Sequence, residues 1–291
     1  MRSWSFRAMG TTVRVLTSDD APTDVVSASA RRILRTFERE EGRFSRFRSD
    51  SELSLVNAAA GRSMRVSIPF ASVVRSALDA AASTEGLFDP TVLGAMDAIG
   101  YDRDFDELLA GARGALHPIH PCGRWRDVTL EDDHLTLPAG VGLDLGGLVK
   151  GWTADLAAIR GVDLGLRWVL VNAGGDLRIA GDAPRIDIAI EDPDDPRTEL
   201  GRLWVRGGGA ATSSTRSRSW GDGFHHVIDP RTGQPSMTDL VQVTVVATTC
   251  AEAEIRATEV LVRGSDAAGE AAVSVTSSGH VLLTVPIEEA A

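Results

Sequence analysis

In the stretch LDLGGLVKGWTAD, residues 143–155, an apolar run meets a glycine pair and then a helix. Val141 to Leu145 is largely apolar, Gly146 and Gly147 interrupt it, and Leu148, Trp152, Leu156 and Ile159 recur at helical spacing. Glycine at such a junction lets a backbone come close to a ligand. The free N–H groups of a first helical turn favour an anion. Lys150 adds a cation, and Asp144 an acceptor that binds or organises the turn. By itself the segment reads first as an ordinary glycine turn followed by a solvated lysine.

On either side of this junction, strands and helices do not alternate strictly. That pattern predicts an α+β fold with mixed sheets and packed helices rather than a doubly wound parallel sheet. A strand is expected from Met9 to Thr17 and a helix from Thr23 to Glu41, with Val26, Ala30, Ile33 and Phe37 on one face. Ser49 and Glu52 have the spacing of a capping box for a short helix reaching Asn57. Phe70, Val73, Val74, Ala77, Leu78 and Ala81 predict another amphipathic helix, stopped near Gly86. RIDIAIE, 185–191, alternates as a half-buried strand does. Further strands are expected at Trp168–Val171, Val241–Ala247, Ala271–Thr276 and Val281–Val285, and a helix at Ala251–Val262 with Thr249 and Glu252 as its capping box. Residues 91–140, broken by Pro118, Pro121 and Pro138, suggest an irregular inserted lobe in a single domain covering 1–291.

The formal net charge is −11, and the basic cluster Arg43, Arg46, Arg48 is short and reads as a solvated face, so a nucleic-acid partner is not expected. No apolar run is long enough for a membrane span. Two cysteines, Cys122 and Cys250, make no disulfide framework. With no signal peptide or lipid-anchor cysteine recognised, the expected location is cytoplasmic. His117, His120 and Cys122 resemble a zinc set, but Pro118 and Pro121 argue against a helix that would align them. There is no phosphate-binding G-x-x-x-x-G-K-[ST] loop, no G-x-S-x-G elbow and no G-x-G-x-x-G before a helix.

Three other stretches hold polar groups in apolar surroundings. VLVNAGGDLRIAG, 169–181, suits a tight bend between strands or a wall against a flat ligand. In 211–235, Thr212, Ser213, Ser214 and Thr215 offer hydroxyls, and Asp229 to Gly233 is strong turn chemistry. Of the adjacent His225 and His226, at most one can face a given site from a strand. In ATTCAEAEIRATEVLV, 247–262, Glu254 and Thr258 lie one helical turn apart. They could give two oxygens to a hard cation such as Mg²⁺, although a helix-surface polar pair is the commoner meaning.

Taken together these segments resemble the ApbE family of FAD:protein FMN transferases. The resemblance runs, in order, through AMGTTVRV (8–15), FSRFRSDSELSLVN (44–57), GLFDPTV (86–92), LDLGGLVKGWTAD, VNAGGDLRIAG (171–181), ATSS (211–214), HHVIDPRTGQP (225–235) and AEAEIRATEVLV (251–262). It implies an ApbE-like, T-fold-related architecture. It also implies Mg²⁺-dependent transfer of the FMN moiety of FAD to a Thr or Ser hydroxyl of an acceptor flavoprotein, with release of AMP. Met9, Phe47, Leu87, Phe88, Asp89, Asp144, Lys150 and Ile228 match positions lining the family's FAD pocket. Gly147, Glu254 and Thr258 match its metal positions, Gly147 through its carbonyl. His226 matches a recurrent histidine before the I-D-P turn and, with Lys150, is the expected catalytic group. The chain departs from the pattern in Glu254, where Asp is usual, in Ala257, where some members have a carboxylate, and in Phe47, where many have Tyr. Hydrolysis of FAD to FMN and AMP, or flavin binding without catalysis, are the rival expectations.

Overall fold

A computed structural model describes residues 1–111, 122–221, 223–284 and 288–289. Pro118, Pro121, His117 and His120, and with them the zinc reading, lie outside the described residues, as does Val285. The chain divides into two compact units: 1–38, 150–217 and 238–291 form the first, and 39–149 with 218–237 the second.

The first unit is built on an eight-stranded sheet. Its order is Arg2–Ala8, Thr11–Thr17, Trp168–Ala173, Asp176–Gly181, Gly208–Ser214, Leu240–Ala247, Val273–Thr276 and Val281–Leu283. Every neighbouring pair is antiparallel. The expected strand beginning at Met9 is instead the second arm of a hairpin. Trp4 and Phe6 alternate with exposed Ser3, Ser5 and Arg7 to make the first arm, and Met9 and Gly10 form the two-residue turn, both at positive φ. Val169 and Val171 face one side of the sheet, in a core with Val13, Val15, Ile33, Phe37, Ala154, Ala157 and Ala158. Trp168 and Leu170 face the other side, packed with Ile190, Leu203 and Val205 of a smaller sheet. The period-two alternation thus buries this strand on both faces.

Two helices matter for function. One, Val149–Asp163, grows out of the opening motif and is called here the lysine helix. The other, Cys250–Arg263, is the glutamate helix. Thr249 caps the glutamate helix by accepting from the Glu252 N–H, as its spacing predicted. The helix lies on Gly208–Ser214, a strand poor in β-formers that sequence patterning missed. A Cβ at Gly209 would come within 2.2 Å of the Cys250 backbone, so only glycine permits this approach.

In the second unit, helices Glu52–Ala58 and Ile68–Ser83 and a three-stranded sheet accompany short helices at Leu93–Ala98 and Phe105–Leu109. The cap of Glu52–Ala58 is Ser51, not Ser49: its hydroxyl accepts from the Ser54 N–H, whereas Glu52 reaches Ser67, which caps Ile68–Ser83. The first long helix also runs further than expected, Thr23–Phe44. Among the described residues no helix is long and apolar enough to cross a membrane.

Candidate active site

In the first unit the lysine and glutamate helices meet at their first turns. A Cβ at Gly151 would fall 2.8 Å from the backbone of Cys250 and Ala251, so glycine sets the closeness of the contact. One turn later on the lysine helix, the Asp155 carboxylate accepts the Cys250 N–H at 2.9 Å and the Ala251 N–H at 3.0 Å. With Thr249 it satisfies the first N–H groups of the glutamate helix.

That clamp fixes Glu254. Its Oε2 accepts the Gly151 N–H at 2.9 Å, and its Oε1 accepts from Lys150 Nζ. Lys150 Nζ also lies 2.7 Å from Asp176 Oδ2. Glu254 and Asp176 are buried, and Lys150 is mostly so. Burial pushes the Glu254 carboxyl up to about 7 against the pull of Lys150, and the Asp176 charge pushes the same way. Thr258, one turn beyond, shares a 3.2 Å hydrogen bond with Ser213 of the glycine-rich strand. Met9 packs at the edge of the core and holds φ at +51°, an uncommon value for a non-glycine residue.

In the second unit Asp144 is an organiser. Its Oδ1 accepts the Gly146 N–H at 2.7 Å, and its Oδ2 lies 2.9 Å from Arg46 Nε. The Arg46 guanidinium lies 4.3 Å from the Phe47 ring centre and 4.5 Å from that of Tyr101. Phe47 is 38% exposed, while Tyr101 is buried and packs against Trp220 and Phe105. Phe88 is buried, and a Cβ at Gly147 would stand 3.2 Å from its ring. Leu87 is half-buried at the turn after Thr84. Asp89 is buried: Oδ1 accepts from the N–H and hydroxyl of Thr91, and burial, outweighing these bonds and that of the Gly123 N–H, raises its carboxyl. Ile228 is a core residue beside Tyr101.

The two histidines differ in their surroundings: His225 ends the short strand Phe224–His225, and His226 follows it in a bend. His225 is buried, with Nε2 3.0 Å from the Ser236 carbonyl and Nδ1 accepting the Val227 N–H at 3.3 Å. Those bonds place its proton on Nε2 and make it structural. His226 is half-buried, and its backbone N–H donates to the Arg218 carbonyl.

Among the described residues no three His, Cys, Asp or Glu side chains form a metal-holding group. The donors Glu254 and Thr258 are hard oxygens, and the buried cluster around them sets two carboxylates against one ammonium. That surplus of negative charge and that donor type suit Mg²⁺ rather than a soft metal. Gly147 belongs to the second unit, Glu254 and Thr258 to the first. Ala257 is fully buried in the core of its helix face.

Sequence reasoning missed three participants. Asp176 opens the strand at the exit of the VNAGGD turn, where alternation was the available signal. Asp155 closes the K-G-x-x-x-D run and was visible as a residue four after Gly151. Arg46 was set aside as part of a solvated basic cluster, yet its side chain is 8% exposed.

A family model described as the ApbE family matches residues 9–281. The chain belongs to the ApbE family. Curated relatives named FAD:protein FMN transferase include one from Rhodobacter capsulatus, 33% identical over 226 residues, which cover 74% of this chain and 43% of that protein. One from Treponema pallidum is 30% identical over 283 residues, 88% of this chain and 77% of the relative. This chain therefore spans less than half of the Rhodobacter protein and most of the Treponema one. The crystal structure of the ApbE protein of Thermotoga maritima superposes with a TM-score of 0.84 at 24% identity, covering 97% of this chain and 96% of the other. A flavin transferase ApbE from Vibrio cholerae gives 0.74 at 25% identity, with 97% and 96% covered. The α+β fold is thus the ApbE fold, and the ApbE relatives bear the names of transferase enzymes.

Proposed function

We propose that this chain transfers the FMN moiety of FAD to a Thr or Ser hydroxyl of an acceptor flavoprotein, with Mg²⁺ as the cation and AMP as the leaving group. The observation that carries this reading is the buried Lys150–Glu254–Asp176 cluster in a chain whose relatives are named for that reaction. Phosphoryl transfers depend mainly on positioning and on offsetting charge. Lys150 would supply a positive charge to a diphosphate, on a helix whose first-turn N–H groups favour anions. Glu254 and Thr258 would hold the Mg²⁺, which neutralises phosphate charge when bound. His226 is assigned as the base that takes the proton of the acceptor hydroxyl. Its oxygen bonds to the flavin-side phosphorus as the bond to the AMP oxygen breaks. His225, committed to Ser236 and Val227, has no such freedom. Phe47 offers an exposed ring face for stacking on a flavin.

The test is intact-mass analysis of a candidate acceptor mixed with this chain, FAD and Mg²⁺. A gain of one FMN residue with an equal yield of AMP is the expected result. FMN and AMP released with the acceptor unchanged would replace transfer by hydrolysis. A bound flavin that never yields AMP would leave a flavin-binding protein.

A further inference from the structure

Lysine and arginine together number 30 in this chain, and Lys150 is the single lysine; every other one is arginine. A lone lysine among arginines poses a question of shape, since both side chains carry the same charge. Arginine is a planar fork that grips a carboxylate through two parallel bonds. Lysine is a compact charge on a slender, flexible stem.

At position 150 the ammonium touches two buried carboxylates. It donates to Glu254 Oε1 and lies 2.7 Å from Asp176 Oδ2. The other Glu254 oxygen is held by the Gly151 N–H at 2.9 Å. Both oxygens of the carboxylate assigned to the cation therefore already have partners from the chain. A divalent ion added at Oε1 would share that oxygen with the ammonium, and like charges held so close away from bulk water repel strongly. The ammonium has somewhere to go, because Asp176 is already within bonding distance.

We propose that Lys150 is the resident counter-ion of Glu254, handed over to Asp176 when a divalent cation arrives, so that Asp176 is a positioning residue of the cation site. This rests on the assignment of Glu254 as a cation ligand made above. A fork locked on Glu254 by two bonds would not yield its place, which gives the single lysine its reason.

The lone lysine also makes the test specific. The full chain labelled with ¹³Cε-lysine shows one lysine signal, which can be followed while Mg²⁺ alone is added and its affinity is measured by calorimetry. The expected result is that this signal shifts with the calorimetric midpoint. Lys150→Arg, which keeps the charge, should weaken Mg²⁺ binding about tenfold or more, and Asp176→Asn should do so by about tenfold. Binding that depends on Glu254 but leaves the lysine signal unmoved overturns the exchange and spares the ligand assignment. So does Lys150→Arg binding Mg²⁺ as well as the parent. If Glu254→Gln binds Mg²⁺ with parental affinity, the ligand assignment falls and the exchange with it. Should the Asp176 variant fail to fold, the signal of the unmodified chain still decides.

Discussion

Around the candidate residues the two units hold polar groups in different ways. In the first, side chains on regular elements bond the backbone of other elements: Asp155 caps the glutamate helix, and Glu254 takes the Gly151 N–H from the lysine helix. In the second, aspartates organise their own turns. Asp89, Asp144 and Asp229 each accept the N–H two residues on, at 2.7, 2.7 and 2.9 Å. The first arrangement fixes charges to rigid rods, where a small displacement is costly. The second fixes loop shape and leaves an aromatic surface beside it. Changes to the first unit's charge cluster should therefore strike chemistry and stability hard, and changes to the aromatic surface of the second mainly tune binding.

The largest effect is expected from Glu254→Ala, which removes the carboxylate on which Lys150 and Gly151 converge. FMN transfer should fall by about a hundred- to a thousandfold, while circular dichroism shows the fold intact. Near-parental transfer would place the chemistry elsewhere.

The same residue predicts a pH dependence. Its folded carboxyl lies near 7, above an ordinary value of 4.5. Between those values the folded chain binds more protons than the unfolded one. Stability from this group is thus full below the unfolded value and lost as pH rises through the folded one. Urea unfolding without added cation should show stability falling from about pH 4.5 to 7 by at most a few kcal/mol. Glu254→Gln should flatten that slope; an unchanged slope would assign the raised carboxyl to another group.

The histidines sharpen the contrast within one dipeptide. His225→Ala strands the Ser236 carbonyl and the Val227 N–H and should cost about 2 kcal/mol in urea unfolding. His226→Ala should leave stability within about 0.5 kcal/mol and lower transfer about a hundredfold. The reverse pattern would exchange their roles. A smaller loss is expected at the helix clamp. Asp155→Asn keeps one acceptor oxygen and turns an amide toward the second N–H, costing about 1 kcal/mol. The Cys250 and Ala251 amides should then exchange faster with deuterium; unchanged exchange would mean that Thr249 holds the helix start alone.

What the sequence disclosed follows the same division. Helical periodicity and the Thr249 cap placed Glu254 and Thr258 on one face, and alternation found RIDIAIE. The Gly208–Ser214 strand was hidden because its residues are chosen for closeness to Cys250, not for β-propensity. Asp176 read as a turn residue because its partner, Lys150, is distant in sequence and no local rule joins them. Arg46 read as solvated because a run of arginines looks alike whether its members face water or, like this one, lie between two rings and a carboxylate. Spacing finds contacts made along one element. It does not find those made between elements, and the first unit's charge cluster is of that second kind.

The mildest change tests whether the aromatic surface of the second unit only tunes binding. Phe47 stands where the family pattern often has Tyr, with one ring face beside the Arg46 guanidinium and the side chain 38% exposed. Phe47→Tyr adds a hydroxyl that can reach water and keeps the ring, so FAD affinity, read by flavin fluorescence, should change by less than about threefold. Phe47→Ala removes the ring and should weaken binding by about tenfold, the worth of one aromatic contact. If Tyr instead raised affinity tenfold or more, the hydroxyl would be making a specific bond to the ligand. The second unit would then recognise flavin by a directed polar contact rather than by an aromatic face alone.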